Sequence, residues 1–247
     1  MLIRIVMSAL LAGALAGVLV FAGHMWKTTP LIVHAEAYEG GGAVSAAHAH
    51  AHGDEADKPT TAPPAGHEGH GHSHGDGDEW APADGLERNA FTLLSDVITA
   101  IGFAFLLIGA MVLSGRQVNW KSGMVWGLCG YAAFYLAPAF GLSPELPGML
   151  AAELTARQAW WLGTAAVTAV ALALMFFADG LLWKVAAGLL IVVPHVIGAP
   201  HPPIEPGAVP AELAAQFAVA TLVVTGLFWL ALGAFSGYFL DRFEDTA

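Results

Sequence analysis

Charge is what this chain has least of. Only 12% of its 247 residues are Asp, Glu, Lys or Arg, about half the share of an ordinary soluble domain. So few charges cannot cover a water-facing surface, which excludes a soluble globular enzyme. Basic residues are scarcer still: nine Lys plus Arg stand against twenty Asp plus Glu, a net charge of −11. That balance excludes nucleic acid as a partner, because phosphates need clustered Lys and Arg. A single cysteine, Cys129, excludes an intramolecular disulfide framework and a cysteine-based zinc site. No Gly-Lys-Ser or Gly-Lys-Thr phosphate loop occurs, so nothing supports ATP hydrolysis by this chain.

What the sequence has instead is apolar length. Hydrophobic residues make up 56% and the mean hydropathy is +0.62. A helix crossing the hydrocarbon core needs about 20 apolar residues. Six segments qualify: Ile5–Gly23, Phe91–Leu113, Gly123–Leu142, Ala159–Ala178, Leu181–Ala199 and Leu213–Leu240. The fold class read from them is an all-α integral membrane protein, a bundle of six transmembrane helices. The count falls to five if the segment interrupted by Pro194-His195 is re-entrant. Residues 1–23 form the first helix, 24–90 a long external loop, and 91–247 the rest of the bundle. The first segment is read as a retained anchor, because its apolar run exceeds a signal peptide's h-region of about 7–15 residues.

Basic flanking residues orient the spans. With the N-terminus cytoplasmic, Arg4, Arg116, Lys121, Lys184 and Arg242 fall inside, and Lys27, Lys58, Arg88 and Arg157 outside. The stretch His24–Ala90 holds eleven acids against three bases, which agrees with an outside placement. Glycines four apart, Gly13/Gly17, Gly123/Gly127 and Gly233/Gly237, predict faces where helix backbones approach closely.

Residues 48–79 carry His48, His50, His52, His67, His70, His72 and His74, interleaved with Asp54, Glu55, Asp57, Glu68, Asp76, Asp78 and Glu79. The tract has almost no apolar side chain and cannot bury a core, so it is expected to be disordered without a ligand. Neutral imidazoles bind borderline dications such as Co²⁺, Ni²⁺ and Zn²⁺, and a flexible chain adapts to each ion's geometry. The tract therefore reads as a metal antenna rather than a selectivity filter. The competing interpretation is a low-complexity linker with incidental affinity.

Ionisable residues inside spans are costly and are candidates by default. Asp96 and His195 are the clearest, with Glu36, Glu39, Glu145, Glu153, His201, Glu205 and Glu212 near the outer ends. His24 also lies near membrane depth. The bland alternatives are that Asp96 pairs near the interface with Arg88 or Arg157, and that His195 bonds a carbonyl beside a kink at Pro194. Pro194 leaves the carbonyl of Leu190 without its helical partner. Cys129 reads as packing, Lys184 as a snorkelling residue, and Thr164, Thr168, Thr221 and Thr225 as hydroxyls bonded to their own helix.

Several rarer words carry a resemblance. They are Thr29-Pro30-Leu31-Ile32 with Glu36, Tyr38 and Glu39, then Trp80-Ala81-Pro82-Ala83-Asp84-Gly85 with Glu87-Arg88. Leu136-Ala137-Pro138, Gly141-Leu142, Pro144-Glu145-Leu146-Pro147-Gly148 and Ala156-Arg157-Gln158 with Trp160-Trp161 follow. Pro194-His195, Ile197-Gly198-Ala199-Pro200, Trp229, Leu232-Gly233 and Arg242 complete the set. On these the chain resembles the CbtA family of predicted cobalt transporters, departing from the family's pattern at His34, where an acidic residue is expected. The resemblance implies Co²⁺ uptake across a bacterial inner membrane for cobalamin synthesis, with Ni²⁺ and Zn²⁺ as chemically similar cargo and no permanently bound cofactor. It also implies a small single-span partner, CbtB, and a bundle of about five spans.

The reading favoured is a divalent-metal uptake subunit. Its candidate metal residues are the seven tract histidines with Glu36, Asp96, Glu145, His195 and His201. Membrane lipid and a CbtB-like subunit are the expected partners, and a second copy of the chain is a further one. A membrane metal sensor and a metal exporter are the alternatives from other classes. A membrane enzyme is disfavoured, since haem needs paired histidines within spans and no Ser–His pair lies at membrane depth.

Overall fold

The computed structural model describes residues 1–48, 82–202 and 207–243, the side chains of 39–48 excepted, and among these every regular element is helical. Helix α1 (Leu2–Gly23) continues through a π-helical turn (His24–Thr28) into α2 (Thr29–His48). Helix α3 covers Leu86–Leu113. Helix α4 (Trp120–Tyr131) passes through a second π turn (Ala132–Leu136) into the short α5 (Ala137–Ala139). Helices α6 (Leu154–Phe177), α7 (Leu181–Ile197) and α8 (Ala211–Arg242) complete the chain. Four helical stretches are long and apolar enough to cross a membrane: Leu2–Tyr38, Leu86–Leu113, Leu154–Phe177 and Ala211–Arg242. Of the other two segments expected to cross, α7 has 17 residues, and the α4–α5 helix carries a π turn and a proline.

The largest departure from expectation is at Gly23. The helix does not end there and the external segment does not begin at residue 24. The stretch Leu2–Tyr38 alone runs 37 residues, about 55 Å, against a hydrocarbon core of about 30 Å, so α2 extends past the length a membrane crossing needs. Pro30 does not break it. A proline removes one helical N–H and its ring collides with the carbonyl four residues back. The wider π turn immediately before α2 opens the helix there, and the same pairing recurs where the second π turn precedes Pro138. Pro194 has no such turn before it. Helix α7 runs on for three residues and stops at Gly198, whose φ of +88° a side chain would rarely adopt.

Packing follows the predicted glycine pairs. A Cβ on Gly13 or Gly17 would collide with the backbone of Ile101 or Val97, so α1 lies directly on α3. Gly123 and Gly127 of α4 meet Gly233 and the Trp229 carbonyl of α8 in the same way. Trp229 then fills the centre, stacked on Phe134 at 5.8 Å, tilted on Phe103 at 4.9 Å, and seated over Gly130. The Tyr131 hydroxyl donates to the Leu222 carbonyl (2.9 Å), a second tie between α4 and α8. Helix α7 packs mainly on α6 and leaves Leu182, Leu189, Val196 and Ile197 exposed.

The two ends differ in chemistry. At one, the loop end, a second cluster joins Ala35 of α2, Leu146 of the α5–α6 connection, and Leu213 and Phe217 of α8. At the other, Arg116 donates to the Phe176 carbonyl and lies 4.7 Å from the Phe177 ring, and the Lys184 ammonium donates to the Met175 carbonyl. Asn119 caps α4 there, its side-chain oxygen accepting from the amides of Lys121 and Ser122. Thr221 bonds back to its own helix as expected. Thr164 and Thr168 do not: their hydroxyls are buried with no hydrogen-bond partner among the described residues.

Candidate functional site

Three ionic groups occupy the loop half of the molecule. The deepest joins two helices. Positions 13, 17, 20 and 24 repeat at helical spacing on the face of α1 that meets α3, and His24 is the last of them, at the start of the π turn. Its Nδ1 lies 3.0 Å from Oδ2 of Asp96, hydrogen-bonded, with the side chains 26% and 16% exposed. Asp96 is ten residues beyond Leu86, about 15 Å along α3. The Asp96 partner is thus a histidine and not Arg88 or Arg157.

Arg88 and Arg157 hold the other two carboxylates. Nη2 of Arg88 is 2.5 Å from Oε1 of Glu36, and its Nη1 donates to Oε2 of Glu36 (3.5 Å) and to Asp84 (3.3 Å). Nη2 of Arg157 is 2.8 Å from Oε2 of Glu145. This second pair lies in a cleft lined by Tyr135, Pro138, Glu145, Arg157, Gln158 and Trp161. Beside it Glu153 caps α6, accepting from the amides of Thr155 (2.9 Å) and Ala156 (2.7 Å), and those bonds hold its carboxyl below the ordinary carboxylate range. The carboxylates predicted as free oxygen ligands, Glu36 and Glu145, are therefore each matched by an arginine.

His195 is half-buried between two aromatic edges, Phe140 at 6.0 Å and Trp160 at 6.1 Å. His201 is exposed on the segment between α7 and α8. The six tract residues His50, His52, His67, His70, His72 and His74 lie outside the described residues, as does Glu205, and the side chains of His48 and Glu39 are not described. Among the described residues no group of three or more His, Cys, Asp or Glu could together hold a metal ion. Asp96, Glu36, Glu145, His195 and His201 thus sit in separate places, and only Asp96 meets a histidine. Sequence reasoning noted His24 but did not place it with Asp96. The signal was present in the 13, 17, 20, 24 spacing, which puts His24 on the stripe that contacts α3.

A family model described as probable cobalt transporter subunit (CbtA) matches residues 2–241. The chain belongs to the CbtA family. No curated protein and no solved structure matches it. In this CbtA protein the rare words cluster in space as well as in sequence. Leu136-Ala137-Pro138, Pro144-Glu145 and Arg157-Gln158 all contribute to the loop-end cleft. Trp160 reaches across to His195 and covers Gly141, where a Cβ would strike its ring. CbtA chains are transporter subunits rather than enzymes, with cobalt named as cargo and other subunits implied by the name.

Proposed function

We propose that this CbtA chain is the large membrane subunit of a divalent-metal uptake transporter of a bacterial inner membrane, carrying Co²⁺ and working with a small single-span CbtB-like subunit. In this reading six helices cross the membrane, the N-terminus is cytoplasmic, and the histidine tract faces the periplasm. The observation that carries it is the segregation of charge. Among the described residues Lys27, Arg88 and Arg157 lie at the loop end, the end that leads to the tract and where Glu36, Glu145, Glu153 and Glu212 also gather. Arg4, Arg116, Lys121, Lys184 and Arg242 lie at the opposite end. The excess of Lys and Arg at the end opposite the tract is what the positive-inside rule expects of a cytoplasmic face.

The tract raises the local concentration of dications at the loop end. Its imidazoles follow the intrinsic Irving–Williams order, so selectivity has to be imposed deeper. Radiolabelled Co²⁺ uptake by cells expressing the chain with its small partner tests the reading. Deleting residues 43–79 should raise the concentration for half-maximal uptake several-fold and leave the maximal rate within about twofold. His195→Ala should instead lower the maximal rate. No uptake above the empty-vector level would leave a metal sensor as the better description, and net loss of Co²⁺ from loaded cells would make it an exporter.

A further inference from the structure

We infer that His24 and Asp96 form an intramembrane cation site, the step at which the ion first exchanges water for protein ligands. The inference rests on the transport reading above and adds a residue, His24, and a geometry to it.

The pair is not needed to hold α1 against α3. Gly13 and Gly17 already bring the two backbones together, closely enough that a Cβ at either would collide. An ionisable carboxylate this far along a membrane helix is costly and is retained where it pairs or binds. The separation also fits. Nδ1 and Oδ2 stand at 3.0 Å, an ordinary hydrogen bond whose nitrogen and oxygen an octahedral first-row dication, with bonds of about 2.1 Å, spans at the same separation. Neither side chain is fully buried, so the protein does not close both off from an approaching ion. The π turn that accommodates Pro30 starts at His24, and π turns are frequent at functional sites.

Two protein ligands completed by water make a weak site, which is what passage demands. An ion must bind well enough to enter and loosely enough to leave, and a cage of four would hold it. On binding, the proton between Nδ1 and Oδ2 is displaced. It moves to Nε2 of a neutral ring, or to water from an imidazolium, and the ion takes both lone pairs. One nitrogen and one carboxylate oxygen suit Co²⁺, Ni²⁺ or Zn²⁺ better than the all-oxygen shell preferred by Mg²⁺ or Mn²⁺.

The test uses His24→Asn, because the asparagine amide keeps a donor near Nδ1 for Asp96 but is a poor ligand. In uptake assays on the full chain with its partner, His24→Asn and Asp96→Asn should each lower the maximal Co²⁺ rate at least tenfold, with half-maximal concentration unchanged within twofold. His24→Asp should raise Mn²⁺ uptake relative to Co²⁺ at least fivefold, which a purely structural pair would not produce. By equilibrium dialysis with Co²⁺, the purified full-length His24→Asn protein should hold one ion fewer than wild type. That measurement stands even if wild-type cells show no uptake, so failure of the transport reading and failure of this site are separable. Wild-type rates and equal ion stoichiometry in His24→Asn would overturn the assignment and leave the bond as structural.

Discussion

At the residue scale, Glu153 makes the cleanest case for chemistry that local geometry dictates. Its carboxylate faces the first free amides of α6, at Thr155 and Ala156, where the helix dipole also favours negative charge. Its folded pKa therefore lies below the ordinary 4.5, for those two bonds first. For a depressed carboxylate the sign is fixed. The cap is fully present above about pH 4.5 and is lost as pH falls through the lower folded value. Amide exchange at Thr155 and Ala156 should be slow and unchanged from pH 7 to pH 5, apart from the intrinsic rate, and should lose protection towards pH 3. Glu153→Gln should remove that pH step; a step that persists in the variant would assign it to another group. At this scale the sequence was legible for residue types and less so for partners. Glu36, Asp96 and Glu145 were visible as candidates, but their partners Arg88, His24 and Arg157 depend on how helices distant in the chain meet.

At the scale of elements, the glycine pairs were readable because a missing side chain has one simple use between membrane helices. They predict different costs for the same substitution. Gly127 of α4 sits against the Trp229 carbonyl, whereas a Cβ on Gly102 of α3 meets nothing within 4 Å. Gly127→Ala should therefore destabilise by about 1–3 kcal/mol, as overpacking does. Gly102→Ala should be neutral or up to about 1 kcal/mol more stable through helix propensity. Thermal unfolding in detergent followed by tryptophan fluorescence separates them, and equal midpoints would mean that α4 and α8 do not touch there. The helix ends were less legible than the contacts. A proline normally marks a boundary, and Pro30 and Pro138 do not, because the π turns before them loosen the helix. Nothing in the residue types of His24–Thr28 or Ala132–Leu136 announces a fifth residue per turn. The tract histidines at positions 50–74, the most conspicuous feature of the sequence, lie outside the described residues.

At the scale of the whole molecule, the six crossings proposed above are supported by which loops share an end. Suppose only the four long apolar helices crossed. Then α1 would carry the chain to the loop end, α3 would return it, and Leu146 and Arg157 would remain at the opposite end. Instead Leu146 packs with Ala35 of α2 and Leu213 of α8, and Arg157 pairs with Glu145 beside it. The α4–α5 helix has to bring the chain back across for that contact to exist. The same argument applies to α7. A three-residue turn after α6 lays α7 antiparallel on it, from Lys184 beside Met175 to His195 beside Trp160. That run of 17 residues covers about 26 Å, short of a full hydrocarbon core but sufficient where Lys184 snorkels. In the six-crossing reading Leu2 and Arg242 lie on one side. In a Cys129→Ala background, Ser143→Cys should react with a membrane-impermeant thiol reagent added outside intact cells. Gln117→Cys and Asp179→Cys should react only after permeabilisation. External labelling of Gln117→Cys with protection of Ser143→Cys would invert the molecule, turn the acidic end and its tract towards the cytosol, and make delivery of metal outward the reading that the charges support. Labelling of Gln117→Cys and Ser143→Cys from one side with Asp179→Cys on the other would mean that α4–α5 does not cross, and that the Ala35–Leu146 contact does not form in the membrane.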